Sequence, residues 1–288
     1  MFDHNETLGE ARARNIRDAL FEDIGVADWT ARLTPANQRV RAQVRCREAA
    51  VCCGQPWFEG VFKTLDPSCQ LTWHVAEGAA MQPDQVILDI EADGRALLSA
   101  ERPALNFLQT LSAVATRTRL HVQAIEGASP NPRGCVVLDT RKTLPGLRLA
   151  QKYAVRVGGG ANQRLALYDG ILIKENHIAA AGGVAAALRA AQALNSGVGI
   201  QIEVENLDQL HEALEAGATS VLLDNFTLEG MREAVALTQG RALLEASGGV
   251  TLEQLRGIAE TGVDRISLGT LTKDLKATDY SMRVLGPL

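Results

Sequence analysis

The chain has 288 residues, 46% of them hydrophobic and only 4% aromatic, with a formal net charge of -5 at pH 7. This length suits one large domain or two modest ones around an aliphatic core. The acidic balance disfavours non-specific nucleic-acid binding, which needs a basic surface.

The polar, acidic stretch 1–10 carries no signal-peptide pattern, and no apolar run approaches the roughly 20 residues of a membrane span. The five cysteines, Cys46, Cys52, Cys53, Cys69 and Cys135, are odd in number and lack C-x-x-C spacing. They read as reduced thiols of a soluble cytoplasmic protein with no membrane or nucleic-acid partner.

In chain order, the spacing predicts a helix over 11–21 and strands over 40–46, 69–75 and 86–92, with Gly54, Pro56, Pro67 and Pro83 as breaks. This is α+β grammar. A long helix is expected over 104–125. Pro103 suits a first helical position, and Leu105, Leu108, Leu111, Val114 and Ala115 form an apolar stripe. So placed, Arg102 lies beside the positive end of the helix dipole, an unfavourable place for a cation unless it reaches an anion outside its own domain.

From 136 onward β-rich runs alternate with helices: VVLDT (136–140), ILIKEN (171–176), IQIEVEN (200–206), SVLLDN (220–225), ALLEASGG (242–249) and RISLGT (265–270). Asn206 with Gln209, and Thr251 with Gln254, have capping-box spacing; Gly217, Gly240 and Gly262 close helices. Repeated strand–helix units imply parallel strands with right-handed crossovers. A closed barrel and an open doubly wound sheet both fit this periodicity, and the strand ends favour the barrel.

In a parallel barrel the C-terminal rim of the strands carries the chemistry. Here the strands end in Asp139-Thr140-Arg141-Lys142, Lys174-Glu175-Asn176, Glu203 and Glu205, Asp224-Asn225, Glu245-Ala246-Ser247-Gly248-Gly249, and Leu268-Gly269-Thr270. Glu203, Asp224 and Glu245 recur at an interval of 21 residues, which predicts equivalent positions on adjacent strands. Strand period puts Glu203 and Glu205 on one face. Arg141, Lys142, Arg164 and Lys174 suit an anionic substrate. Glu203 and Asp224 are hard oxygen ligands that suit a magnesium ion bridging substrate phosphates. Ser247-Gly248-Gly249 and Leu268-Gly269-Thr270 suit a phosphate cradle. The segment Val157-Gly158-Gly159-Gly160-Ala161-Asn162 lacks G-x-G-x-x-G spacing and reads as a turned connection that brings Gln163 and Arg164 to the site.

The motifs ERPALNFLQ (101–109), DTRKTLPGLR (139–148), GGGANQRLALYDGILIKENH (158–177), EVEN (203–206), LLDN (222–225), EASGGV (245–250) and ISLGT (266–270) cover most of the chain in one order. In this the sequence resembles the quinolinate phosphoribosyltransferase family, also called nicotinate-nucleotide pyrophosphorylases. The resemblance implies an α/β fold: an N-terminal α/β sandwich domain over 1–115, joined by 273–288, and an incomplete TIM-like α/β barrel over 116–272. It implies a homodimer or higher oligomer in which Arg102 reaches the partner's site.

The implied reaction joins quinolinate to 5-phosphoribosyl-1-pyrophosphate (PRPP) with magnesium, giving nicotinate mononucleotide, pyrophosphate and carbon dioxide. By resemblance, Lys142, Lys174, Glu203 and Asp224 are catalytic. Arg102, Thr140, Arg141, Gln163, Arg164 and Lys174 line the substrate, with Lys142 on pyrophosphate. Glu203 and Asp224 hold ribose and, partly through water and substrate, magnesium. Ser247, Gly248, Gly249, Ser267, Leu268 and Gly269 hold the 5′-phosphate. The family generally has His where this chain has Gln163. A neutral amide donor there implies weaker substrate binding and less pH dependence. Other readings are a related transferase with another acceptor, a Schiff-base lyase using Lys174, and a non-catalytic relative.

Overall fold

A computed structural model describes residues 4–288. Two compact units emerge. The first holds the described residues up to Arg119 together with Thr143–Gly159 and Thr272–Leu288; the second holds Leu120–Lys142 and Gly160–Leu271.

The first unit opens with α1 (Leu8–Ile24), whose Thr7 and Glu10 complete a reciprocal capping box. A 3-10 turn (Ala31–Leu33) leads to β1 (Arg39–Cys46) and the short β2 (Ala50–Val51). Then come α2 (Gln55–Leu65), β3 (Gln70–Trp73), β4 (Ala80–Met81), β5 (Val86–Asp93) and α3 (Gly94–Ala124). Helix α2 forms across the expected break. Gly54 caps it, Pro56 sits in its first turn where no N–H is needed, and Trp57, Phe58, Val61 and Phe62 are buried.

Helix α3 begins ten residues before the expected start at 104, at Gly94. Asp93 Oδ1 accepts from the backbone N–H groups of Arg95 and Ala96, both at 3.0 Å, which fixes the start. Pro103 lies inside the helix, where burial of Leu97, Ala100, Ala104, Leu108 and Leu111 outweighs the missing hydrogen bond. Arg102 is therefore well past the first turn. The dipole effect has faded there, so the expected strain on its charge does not exist.

The second unit begins with β6 (Val136–Leu138). The stretch 143–159, which the sequence grammar places with the repeating half, contains α4 (Arg148–Val157) and clusters with the first unit. Then follow β7 (Gly170–Ile173), α5 (Glu175–Ala181), α6 (Val184–Ala193), β8 (Gly199–Val204), α7 (Leu207–Glu215) and β9 (Ser220–Asp224). After these come α8 (Leu228–Thr238), β10 (Leu243–Ser247), α9 (Leu255–Ala259), β11 (Arg265–Ser267), α10 (Thr270–Lys273) and β12 (Tyr280–Pro287). Each of the six runs contains a strand. Strand β12 returns to the first unit, where the order β12-β1-β5-β3 makes an antiparallel sheet. Val40, Ala42, Val44 and Cys46 of β1 are buried on one face.

The parallel sheet of the second unit has the order β6-β11-β10-β9-β8-β7. This is a cyclic permutation of chain order, with the first strand beside the last. A doubly wound sheet instead extends outward in both directions from its first strands, so the barrel is the correct alternative. Its seam lies between β6 and β7. There Ala161 bridges to β6, its N–H donating to Val137 O at 2.9 Å and its carbonyl accepting from Asp139 N at 3.3 Å. The turned segment after α4 thus supplies a single bridge where a further strand would run.

Candidate active site

The strand ends of the barrel carry two sets of interacting side chains, one around Arg141 and Arg164 and one around Lys174, Glu203 and Asp224. Behind β6, Thr140 Oγ1 accepts from Lys142 N at 3.1 Å, which turns the chain back at the strand end. Buried Asp139 is a fastening point: it accepts from Asn162 Nδ2 at 2.6 Å and from Gln163 N at 3.0 Å. This pair fixes the segment carrying Gln163 and Arg164 against the end of β6.

Arg164 donates from Nη1 to Gly170 O at 3.0 Å, while its Nε is buried without a hydrogen-bond partner. Its proton affinity is lowered, first by burial and then by the Arg141 guanidinium beside it. The Asp169 carboxylate acts in the opposite direction, and two guanidiniums side by side suit an anionic ligand.

A second group comes from the ends of β7, β8 and β9. Lys174 Nζ pairs with Glu203, at 3.2 Å to Oε2 and 3.5 Å to Oε1. The lysine side chain is 47% exposed and the glutamate 11%. Burial raises the Glu203 pKa above the ordinary glutamate value; Lys174 pulls it back, and the charges of Asp224 and Glu175 push it up again. Glu203 and Asp224 therefore share one electrostatic environment. Asp224 Oδ2 accepts from Asn225 Nδ2 at 2.9 Å, and Asn225 N donates to Ser247 O at 3.1 Å, joining the ends of β9 and β10.

Two expectations about the carboxylates need correction. Glu203 and Glu245 both pair in register with Leu222, while Asp224 pairs with Ser247. Equal spacing in sequence does not give equal height, because loop lengths and strand stagger also set the level of each residue. Glu245, two residues before the end of β10, is buried at 1% exposed. Strand β8 ends at Val204, so alternation does not extend to Glu205, whose exposed backbone N–H donates to Gln209.

The glycine segments close the ring. Gly248 has φ +107, and a Cβ there would stand 2.1 Å from Asn225 Oδ1. A Cβ on Gly269 would stand 2.8 Å from Lys142 Cδ and 3.4 Å from Thr140 Oγ1, so the ends of β11 and β6 meet at this point. Ser267 and Leu268 are buried, and Leu268 N donates to Leu138 O at 2.9 Å. Leu268 therefore has neither a side chain nor an N–H to offer a ligand. Arg102 belongs to the first unit, exposed on α3.

Comparison with known proteins assigns both halves. The model for the quinolinate phosphoribosyl transferase N-terminal domain matches residues 28–112, and that for the C-terminal domain matches 114–283. The chain belongs to the quinolinate phosphoribosyltransferase family. It is 41% identical over 264 residues to a probable nicotinate-nucleotide pyrophosphorylase [carboxylating] of Bacillus subtilis, spanning 91% of this chain and 90% of the relative. It is 40% identical to the nicotinate-nucleotide pyrophosphorylase [carboxylating] of Mycobacterium leprae, over 95% of this chain and 97% of that one. The structure of the nicotinate-nucleotide pyrophosphorylase from Francisella tularensis superposes with a TM-score of 0.91 at 40% identity, covering 98% of this chain and all of that one.

In this quinolinate phosphoribosyltransferase fold, sequence reasoning missed the supporting groups. Asp139 was visible as a strand end, and its burial among apolar residues is what marks it as a fastener. Asn162 and Gln201 are neutral and gave no charge signal. Gln201 Oε1 accepts from Gln163 Nε2 at 3.0 Å, so one donor of the Gln163 amide points into the barrel.

Proposed function

We propose that this chain transfers the phosphoribosyl group of PRPP to the ring nitrogen of quinolinate, with loss of one carboxylate as carbon dioxide. The products are nicotinate mononucleotide and pyrophosphate, a step of NAD biosynthesis. The observation that carries this reading is the division of one barrel rim into the Arg141–Arg164 pair and the Lys174–Glu203–Asp224 group.

The guanidiniums, with Lys174, hold the dicarboxylate. Glu203 and Asp224 face the ribose, where negative charge stabilises the cationic character that develops as the C1–oxygen bond to pyrophosphate breaks. Lys142 neutralises the departing pyrophosphate, with Thr140 fixing its loop. The backbone around Ser247, Gly248, Gly249 and Gly269 holds the 5′-phosphate, and Ser267 and Leu268 support that cradle from below. Alkylation leaves the ring nitrogen positive. The electrons of the breaking carbon–carboxylate bond are stabilised beside it, and that carbon then takes a proton. The protein has mainly to orient and shield.

Among the described residues no cluster of three metal-binding side chains forms. Glu203 and Asp224 are two hard oxygen donors in one environment, which fits magnesium that keeps its waters and arrives on substrate phosphates. Bound there, it would neutralise pyrophosphate charge.

We place the enzyme in the cytoplasm as a homodimer. All five cysteines are free, and among the described residues no helix is long and apolar enough to cross a membrane. Phe21, Val26, Trp29, Leu33 and Leu98 of the first unit are exposed apolar side chains, which a partner could cover. Arg102 lies one helical turn beyond Leu98 on α3, and from there it serves the partner's site. The Schiff-base reading lacks support, because Lys174 is half-exposed and held by a carboxylate.

Acceptor choice tests the proposal. With PRPP and magnesium, quinolinate should be consumed and nicotinate should not; turnover of nicotinate alone would assign another acceptor.

A further inference from the structure

Beneath the rim three side chains form a hydrogen-bonded line. Gln163 Nε2 donates to Gln201 Oε1 at 3.0 Å, and Gln201 Nε2 donates to Glu245 Oε2 at 2.8 Å. Gln201 is 9% exposed and Glu245 is 1% exposed. Each lies two residues below a rim group on its own strand: Gln201 below Glu203 on β8, and Glu245 below Ser247 on β10. The strand period therefore puts each on the same face as its rim neighbour. The backbone of Gln163 is fixed separately through Asp139.

The chemistry of this line permits one polarity. An ionised carboxylate only accepts hydrogen bonds, whereas an amide has one accepting and one donating end. Gln201 must turn its NH₂ to Glu245, which leaves its carbonyl for Gln163. Gln163 must then turn its own NH₂ to Gln201. The orientation of the amide at the rim is thus dictated by a carboxylate that is itself buried below it. Stability alone does not account for Glu245. Its Oε1 is buried with no hydrogen-bond partner, and a buried carboxylate oxygen left unmatched is a cost to the fold.

We infer that Gln201 and Glu245 are positioning residues, which fix the Gln163 amide for a carboxylate of the acceptor and so set acceptor affinity without touching the substrate. The identity of the acceptor rests on the proposed function; the line itself does not. At this position the neutral glutamine acts as an oriented amide whose direction is specified from inside the barrel.

The test uses three variants of the full chain. Gln201→Met and Glu245→Met break the line with side chains of similar length. Each should raise KM for quinolinate about fivefold, with kcat and the KM for PRPP within about twofold. Glu245→Gln keeps the side-chain length but can donate as well as accept, so it releases the polarity of the line and should raise KM for quinolinate about twofold to fivefold, again with kcat within about twofold. In parallel, protein labelled with 15N-glutamine is examined without substrate. The Gln163 side-chain NH₂ signals, identified by their loss in Gln163→Met, should shift in both methionine variants. Unshifted signals would overturn the inference, and so would an equal rise in KM for both substrates. If the parent forms no nicotinate mononucleotide, the functional reading fails, and the NH₂ signals still decide the line.

Discussion

Opposing forces act on the Glu203 carboxyl, and burial prevails. Burial and the neighbouring Asp224 and Glu175 charges favour its protonated form, while Lys174 favours the ionised one. The proposed chemistry needs the carboxylate. Activity should therefore fall as pH drops through a value above the ordinary glutamate pKa of about 4.3. Because Lys174 lowers that value, Lys174→Met should move the acid limb of the kcat/KM profile for PRPP to higher pH, beyond its effect on rate. A limb that stays in place would remove Glu203 as the titrating group. At this scale the sequence was informative for charge and silent about support. Lys174, Glu203 and Asp224 announce themselves as charged tips of apolar strands. Gln201 reads as one more polar residue in a strand, and its role depends on a partner 44 positions away, on the next strand but one.

Elements were legible where period and punctuation agreed. The six strands of the barrel each combine an apolar run with a polar tip, and α7 begins where its cap spacing says, with Asn206 Oδ1 accepting from Gln209 N at 2.9 Å. Helices α2 and α3 depart from the sequence expectation for one reason: proline does not bound a helix where its N–H is not needed or where its neighbours are buried. Pro56 lies in a first turn, and Pro103 is held inside a helix by buried neighbours. The level of Asp224 relative to Glu203 was beyond reach, because strand stagger is a property of the closed sheet. The β10 loop carries a prediction of its own. Gly248→Ala places a methyl 2.1 Å from Asn225 Oδ1 at φ +107, which should destabilise the protein by about 1–3 kcal/mol. If this loop holds the phosphate, KM for PRPP should also rise about tenfold or more with little change for quinolinate. Thermal denaturation and steady-state kinetics would check the two effects separately.

For the whole molecule, the cyclic strand order distinguishes the barrel from an open sheet, and strand β12 ties the end of the chain to the first unit. The barrel supplies every proposed site group except Arg102. If that arginine serves a partner, an Arg102→Ala chain and an Asp224→Asn chain should each be nearly inactive, and mixing them after dissociation should restore roughly a quarter of the parent activity, because half of the dimers then own one complete site. No restoration would place Arg102 in its own chain's site. The most direct measurement on the central claim follows product formation from PRPP and quinolinate labelled in the carboxylate beside the ring nitrogen. One labelled carbon dioxide is expected for each nicotinate mononucleotide, with turnover abolished when magnesium is chelated and regained when it is restored. Nicotinate mononucleotide without labelled carbon dioxide, or no product at saturating substrates, would contradict it.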